Sequence, residues 1–246
     1  LKVKKVIKAS SFFINFSGDT NLVLEKIGWP NHKVIPCGYI SPPLEGSHFT
    51  ERTEGNHDDF HICCSGIHTW HRGQDILMDA LAQLKEWGLK FTATITQSGP
   101  TTQYLKNQIR AYDLPVNMPG IISMPELIQL YENCSVFVGT GREEPWGLRV
   151  NDALHCGAPL VISDGMGAKK IVNEFACGKI FNSECSHDLA WKLRILIENK
   201  CEFLSCSQRA RRASNNLLPS YASNQIAGIL SASFGGWKSE KLNIGL

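Results

Sequence analysis

From Asp58 onward, short apolar runs and amphipathic stretches take turns with little between them, and this alternation constrains the fold more than any other feature of the chain. "DFHICCSG" is a short apolar run closed by Gly66 and reads as a strand. "QDILMDALAQLKEWG" places Ile76, Leu77, Ala80, Leu81 and Leu84 at helical spacing, with Gly88 as the stop. "KFTATITQSG" is alternating and β-branched, "TTQYLKNQIRAYDL" is helical, and "VNMPGII" is a short strand. "MPELIQLYENC" opens a helix with Pro125 and Glu126 in its first turn, and "SVFVG" is again a strand. "EPWGLRVNDALHCG" predicts a helix with Pro near its start and Gly157 at its end. "PLVISD", "AKKIVNEF" and "GKIF" follow as strand, short helix and short strand. "SHDLAWKLRILIENK" is an amphipathic helix with Ser186 as its N-cap, and residues 203–233 predict one or two further helices.

Strands alternating with helices through short connections mean a parallel sheet covered on both faces. The expectation is an α/β, Rossmann-like doubly wound domain over residues 58–200, followed by C-terminal helices over 201–246. Residues 1–57 stand outside the pattern. "DTNLVLEKIG" predicts a helix capped by Asp19 or Thr20, and "NHKVIPCGYISPPLEG", rich in Pro and Gly, predicts a linker. The chain starts at Leu1 without Met, which points to a piece of a longer chain.

Composition narrows the function. Apolar residues make up 43%, enough for a sizeable core, and the formal net charge of +2 leaves no electrostatic footprint for nucleic acid. No apolar run reaches the roughly 20 residues that span a bilayer. The nine cysteines include no C-x-x-C pair and several lie in apolar runs, so they read as small buried hydrophobes of a reducing compartment. "HTWH", from His68 to His71, has no third ligand nearby and is not read as a metal site.

In a doubly wound sheet the ligand sits at the carboxyl ends of the strands. That rim carries "SGIHTWHRG", "TQSGP", "PGII", "GTGREEPWG" and "SDGMG". Gly147 stands where a strand has passed through a loop into a helix. Free amides and a partial positive charge there can seat a phosphate, although Pro and Gly are also ordinary helix-start residues. Glu144 repels phosphate but can accept hydrogen bonds from sugar hydroxyls, or it can simply favour the helix dipole. Asp152 is either a clamp for a ribose diol or a solvated helix carboxylate. Arg72, between Gly66 and Gly73, can reach a diphosphate, or it can be a surface arginine at a helix start. "GMGA" at Gly165–Ala168 is half of a dinucleotide fingerprint, late in the sheet and with Lys170 at the position of the third glycine, which disfavours nicotinamide binding.

Taken together, these stretches resemble the retaining nucleotide-sugar glycosyltransferases of family 4, whose GT-B architecture pairs two Rossmann-like domains. "KVIPCGYI" is similar to the family's "k-v-i-p-n-G-v-d", and "HRGQDILMDALAQL" to its "K-G-…-l-l-A-…-l". "TITQSGPTTQYLK" is similar to "i-v-G-x-G-p" and its helix, and "PGIISMPELIQLYENCSVFV" to "l-G-x-v-…-e-l-…-y-…-a-d-v-f-v". "EEPWGLRVNDALHCGAPLVISD" is similar to the E-x7-E element and is the most specific of them.

The resemblance implies a catalytic Glu144 that contacts the donor sugar's hydroxyls. It places the diphosphate on the amides around Gly147 and Leu148, with Arg72 in place of the family's Lys neutralising it, and counts Gly66, Pro145 and Trp146 among the donor-binding residues. It places the ribose on Asp152, in place of the second Glu, and the base on the rim at Ile121 and Ile122. It implies a UDP- or GDP-linked sugar as donor, no metal and no other cofactor. The acceptor would be a glycan or a lipid-linked molecule bound through an absent N-terminal domain. The setting would be cytoplasmic surface-polysaccharide or glycoconjugate synthesis, with peripheral membrane contact through the missing half. Two positions depart from the family pattern. Ile67 stands where the family has Arg, with His68, His71, Arg142 or Arg149 as replacements, and Lys170 stands where an acid is usual. Those departures keep open a second reading, a degenerate module that binds a nucleotide or a partner without turnover. A sugar-nucleotide epimerase of the same architecture is a third.

Overall fold

The computed structural model describes residues 39–234 continuously, together with 13–15, 24–26, 28 and 34–36. Within the part predicted as a linker, β2 (Val34–Pro36) pairs in parallel with β1 (Phe13–Asn15), so this stretch is a strand rather than irregular chain. Residues 24–26 are helical, as expected, while the caps proposed at Asp19 and Thr20 lie outside the described residues.

The main sheet has six strands: β3 (His61–Ser65), β4 (Thr92–Thr96), β5 (Val116–Gly120), β6 (Val136–Gly139), β7 (Leu160–Ser163) and β8 (Gly178–Phe181). All neighbours are parallel and the order is β5-β4-β3-β6-β7-β8. The chain thus moves outward from β3 to one edge, returns, and moves outward to the other. This is the doubly wound Rossmann-like topology that the alternation predicts, and the reversal between β3 and β6 opens a crevice at their carboxyl ends. No helix among the described residues is long and apolar enough to cross a membrane.

Alternate strand residues divide between two cores. Ile62, Cys64, Val136, Val138 and Val161 face one layer, and Cys63, Phe137, Leu160 and Ile162 face the other. The first layer is covered by α2 (Gln74–Glu86), α3 (Thr102–Ala111) and α7 (Ser186–Glu198). The second is covered by α4 (Met124–Asn133), α5 (Leu148–His155) and α6 (Lys169–Phe175). Helix α8 (Lys200–Asn215) spans both layers, giving Phe203 and Cys206 to one and Ala210 and Ala213 to the other. Helix α9 (Pro219–Phe234) closes the described chain. Burial on both faces explains why the strands read as unbroken apolar runs.

Three local features differ from the sequence reading. The helix predicted from Glu144 begins only at Leu148, because Gly147 takes a left-handed conformation (φ 99°) and ends the preceding loop. The N-cap of α7 is Cys185, whose Sγ accepts from the Asp188 amide, rather than Ser186. A short polar helix, α1 (Glu54–Asp58), was not foreseen. It buries none of its residues and is held by a capping box between Thr53 and Asn56.

Just before α1, Arg52 is buried and has no acidic partner among the described contacts. Its guanidinium donates to the carbonyls of Cys134, Thr50, Cys156 and Tyr131, at 2.5, 2.6 and 3.2 Å for the first three. Tyr131, Cys134 and Cys156 lie at the carboxyl ends of α4 and α5, where carbonyls lack helical partners and the helix dipole is negative. One cation therefore caps two helices.

Candidate functional site

Three loops meet at the crevice, and their backbones are stitched together. The β3–α2 loop contains a 3-10 turn, Trp70–Arg72, followed by Gly73 in left-handed conformation (φ 66°). A Cβ at Gly73 would sit 2.2 Å from the Thr140 carbonyl oxygen, so only glycine lets this loop pass over the end of β6. Thr140 Oγ1 donates to the Arg72 carbonyl at 2.7 Å, and the Arg142 amide donates to the His71 carbonyl at 3.1 Å. On the other side, the Glu144 amide donates to the Gly165 carbonyl at 3.0 Å. The Gly167 amide returns a bond to the Glu144 carbonyl at 2.9 Å. Glu144 and Met166 form a parallel β-bridge. The carboxylate thus stands on backbone fixed at both of its peptide groups.

Arg72 reaches across from the neighbouring loop and forms an ion pair with Glu144 through Nη1 and Oε1. Beside them Gly147 opens α5 with no side chain to cap it, so the first amides of the helix face a ligand or solvent. The resulting cleft, about 560 Å³, is lined by Tyr39, Ser41, Arg72, Glu144, Pro145, Trp146, Gly147, Leu148, Arg149 and Asp152. A smaller inner pocket lies behind it, against the ends of β3 and β6, and includes Cys64, Gln74 and Met166. Burial pushes the Cys64 thiol up to about 12, so it is neutral there and no nucleophile. Burial likewise pushes the Asp152 pKa up from its ordinary value, opposed by Arg149, whose Nη1 lies 3.3 Å from its Oδ2.

Of the residues singled out in the sequence, Arg72, Glu144, Pro145, Trp146, Gly147, Leu148 and Asp152 share this cleft. Trp146 is nevertheless only 4% exposed, and its Nε1 donates to Asn151 Oδ1 at 2.9 Å, so it contributes an edge while its body packs in the core. Gly66 follows the end of β3, and its carbonyl accepts from Gln74. Ile121 is 75% exposed at the end of β5, and Ile122 lines a different groove with Asn117 and Glu126. Neither isoleucine lines the cleft.

The four groups considered as replacements at Ile67 also separate. His68 is buried, 3.1 Å from the Thr96 carbonyl through Nε2 and 2.9 Å from Thr102 Oγ1 through Nδ1, and burial lowers its pKa, so it is a neutral core group. Arg142 is bound bidentate to Asp75 at 2.7 and 2.9 Å and also engages Glu184 and the Trp70 carbonyl. His71 is exposed and lines neither space. Arg149 lines both. Sequence reasoning missed Tyr39, Ser41 and Gln74. The first two lie in the stretch read as linker, and they reach the cleft because Asn151 Nδ2 donates to the Tyr39 carbonyl and to Ser41 Oγ.

The family described as "Glycosyl transferases group 1" matches residues 48–216. Among solved structures the chain is similar to HepE of Anabaena in complex with UDP and glucose: 22% identity and TM-score 0.69, with 94% of this chain and 66% of that one covered. It is similar to sucrose-phosphate synthase from Thermosynechococcus elongatus at 18% identity and TM-score 0.72, with 94% and 61% covered. It is also similar to the pneumococcal O-GlcNAc transferase GtfA in complex with UDP and GlcNAc, at 17% and 0.67, with 96% and 47% covered. These likenesses show the GT-B fold, and the chain spans two thirds or less of each of these proteins. No curated protein matches it by sequence.

Proposed function

The chain belongs to the glycosyl transferases group 1 family, and we propose that its rim cleft binds a UDP- or GDP-linked sugar as the donor half of a retaining, family 4-type transferase. The observation that carries this reading is the convergence at the topological switch point. A fixed carboxylate, two guanidinium groups and an uncapped helix N-terminus line one cleft. Those groups match the parts of a nucleotide sugar. Amides at the start of α5 and Arg72 take the diphosphate, and they stabilise the charge that develops on it as the sugar departs. Glu144 accepts from the sugar hydroxyls and acts at the reacting centre, while Asp152 holds the ribose. The base lies along the rim toward Ile121 and Ile122, held by backbone groups, with Gly66 nearby. The acceptor, a glycan or lipid-linked molecule, would be bound by residues beyond this chain, and the donor is the one small molecule the reaction needs.

The donor meets the Arg72–Glu144 pair and competes with its Nη1–Oε1 contact, offering phosphate to one partner and hydroxyls to the other. Calorimetric titration of the chain with UDP, GDP and their sugar conjugates tests this. Glu144→Gln removes a charge-assisted acceptor, worth about 1.5–3 kcal/mol, so the sugar conjugate should bind about 10- to 100-fold more weakly. The free diphosphate should bind no less tightly, because Arg72 is released. Equal weakening of both, or no binding of any of these ligands to the unmodified chain, would refute the assignment.

A further inference from the structure

We propose that Arg149 is the second diphosphate-binding cation of the cleft, working opposite Arg72, and that a ligand draws it away from Asp152. The inference rests on the nucleotide-sugar reading above. Among the described residues only Arg72, Glu144, Gly147 and Arg149 line both the open cleft and the inner pocket, so both guanidinium groups stand at the junction of the two spaces. Their side chains are similarly accessible, 38% for Arg72 and 39% for Arg149. Arg149 is the second residue of α5, so its charge lies beside the same uncapped amides that face the cleft.

The charges lining the cleft favour a second cation. Glu144 and Asp152 together cancel Arg72 and Arg149. With Arg72 as sole cation the two carboxylates would leave the cleft negative, and a diphosphate would be repelled. Availability then selects the residue. Arg142 is locked bidentate between Asp75 and other acceptors, and His68 is neutral in the core. Among the described residues Arg149 has one ion-pair contact, to the buried Asp152 Oδ2 at 3.3 Å, which is long for a charge-assisted bond and leaves the more exposed guanidinium able to turn to a ligand that takes over Asp152.

The inner pocket holds one polar group that the protein leaves unpaired. Gln74, 2% exposed, donates through Nε2 to the carbonyls of Gly66 and Ile67, which fixes the amide's orientation. Its Oε1 is buried with no hydrogen-bond partner among the described residues, and Gln74 lines the same pocket as both arginines. A buried acceptor of this kind calls for a donor, and a guanidinium or a ligand hydroxyl at the junction would supply one.

The test is calorimetric titration of the chain with UDP, UMP, GDP and GMP, comparing the unmodified protein with Arg149→Gln and Arg149→Lys. The glutamine variant should bind the diphosphate about 10- to 100-fold more weakly, the loss of one charge-assisted contact. The monophosphate should be affected less, and lysine should recover part of the affinity by restoring charge without the planar fork. Equal losses for mono- and diphosphate would indicate a distorted helix start and overturn the proposal. Unchanged diphosphate binding in Arg149→Gln would overturn it while leaving the nucleotide-sugar reading intact. Failure of both diphosphates to bind the unmodified chain would overturn both.

Discussion

Gly147→Ala separates the two reasons a glycine can stand at the mouth of α5. Gly147 has φ 99° and ψ 71°, and a Cβ there would lie 2.3 Å from Met166 Cε. Positive φ costs an L-residue roughly 1–2 kcal/mol. Forcing the buried Met166 aside is overpacking, about 1–3 kcal/mol for a flexible side chain in a dense core. Alanine also restricts the unfolded chain and returns roughly 0.4–1 kcal/mol. The expected net loss is about 2–4 kcal/mol in equilibrium urea unfolding. Met166→Ala alone leaves a cavity and costs about 2–5 kcal/mol. In the double variant the collision disappears while the backbone strain remains. The pair should therefore be more stable than the sum of the singles predicts, by about 1–3 kcal/mol, the overpacking share. Additivity to within about 0.5 kcal/mol would refute the packing argument, and strain alone would then explain the glycine.

Two further outcomes follow from buried polar groups. Arg52→Met keeps the stem volume but orphans the helix-end carbonyls that the guanidinium serves, and should destabilise the chain by about 3–5 kcal/mol in chemical denaturation; a loss below about 1 kcal/mol would show that water replaces the cation. His155 is buried, with Nε2 3.0 Å from the Ser41 carbonyl and Nδ1 3.0 Å from Ser214 Oγ, and burial lowers its pKa from 6.5. A depressed folded pKa gives stability that is present above 6.5 and lost as pH falls through the folded value. Unfolding free energy should therefore fall as pH drops below about 6.5, with His68 contributing in the same direction, and His155→Gln should flatten part of the decline. A profile unchanged by the substitution would refute the assignment.

The elements of the sheet domain were legible because each obeys one physical rule. Strands buried on both faces must be apolar throughout, and helices that cover them must carry one apolar stripe. What escaped follows other rules. Helix α1 buries nothing, so no periodicity marks it. Strand β2 pairs with β1 some twenty positions earlier, and its Pro and Gly neighbours read as linker. The role of Arg52 leaves no mark in the residue string, because its partners are backbone carbonyls. The rim loops were legible as places, since a doubly wound order fixes where the carboxyl ends lie. The pairs within them were not. Arg72 and Glu144 are 72 positions apart and meet only because β3 and β6 are neighbours at the reversal.

The glycines of the rim show where sequence chemistry and structural chemistry compete. Gly147 reads naturally as room for a phosphate, and Gly165 as half of a dinucleotide fingerprint that is not completed. In the fold each is demanded first by the protein itself. A Cβ at Gly165 would lie 2.0 Å from the Arg142 carbonyl oxygen, and one at Gly73 or Gly147 would strike a neighbouring loop as closely. Bare backbone is what lets three loops approach near enough to share hydrogen bonds. That mutual bonding fixes Glu144 on both sides. A carboxylate held in this way loses little freedom when it meets a ligand, so more of each hydrogen bond to a sugar hydroxyl appears as affinity. The same glycines that close the scaffold also leave the amides of α5 uncovered. Packing and ligand binding therefore ask for the same residue at Gly147. The Met166 double variant can tell them apart, because it removes the collision and leaves the added methyl beside those amides.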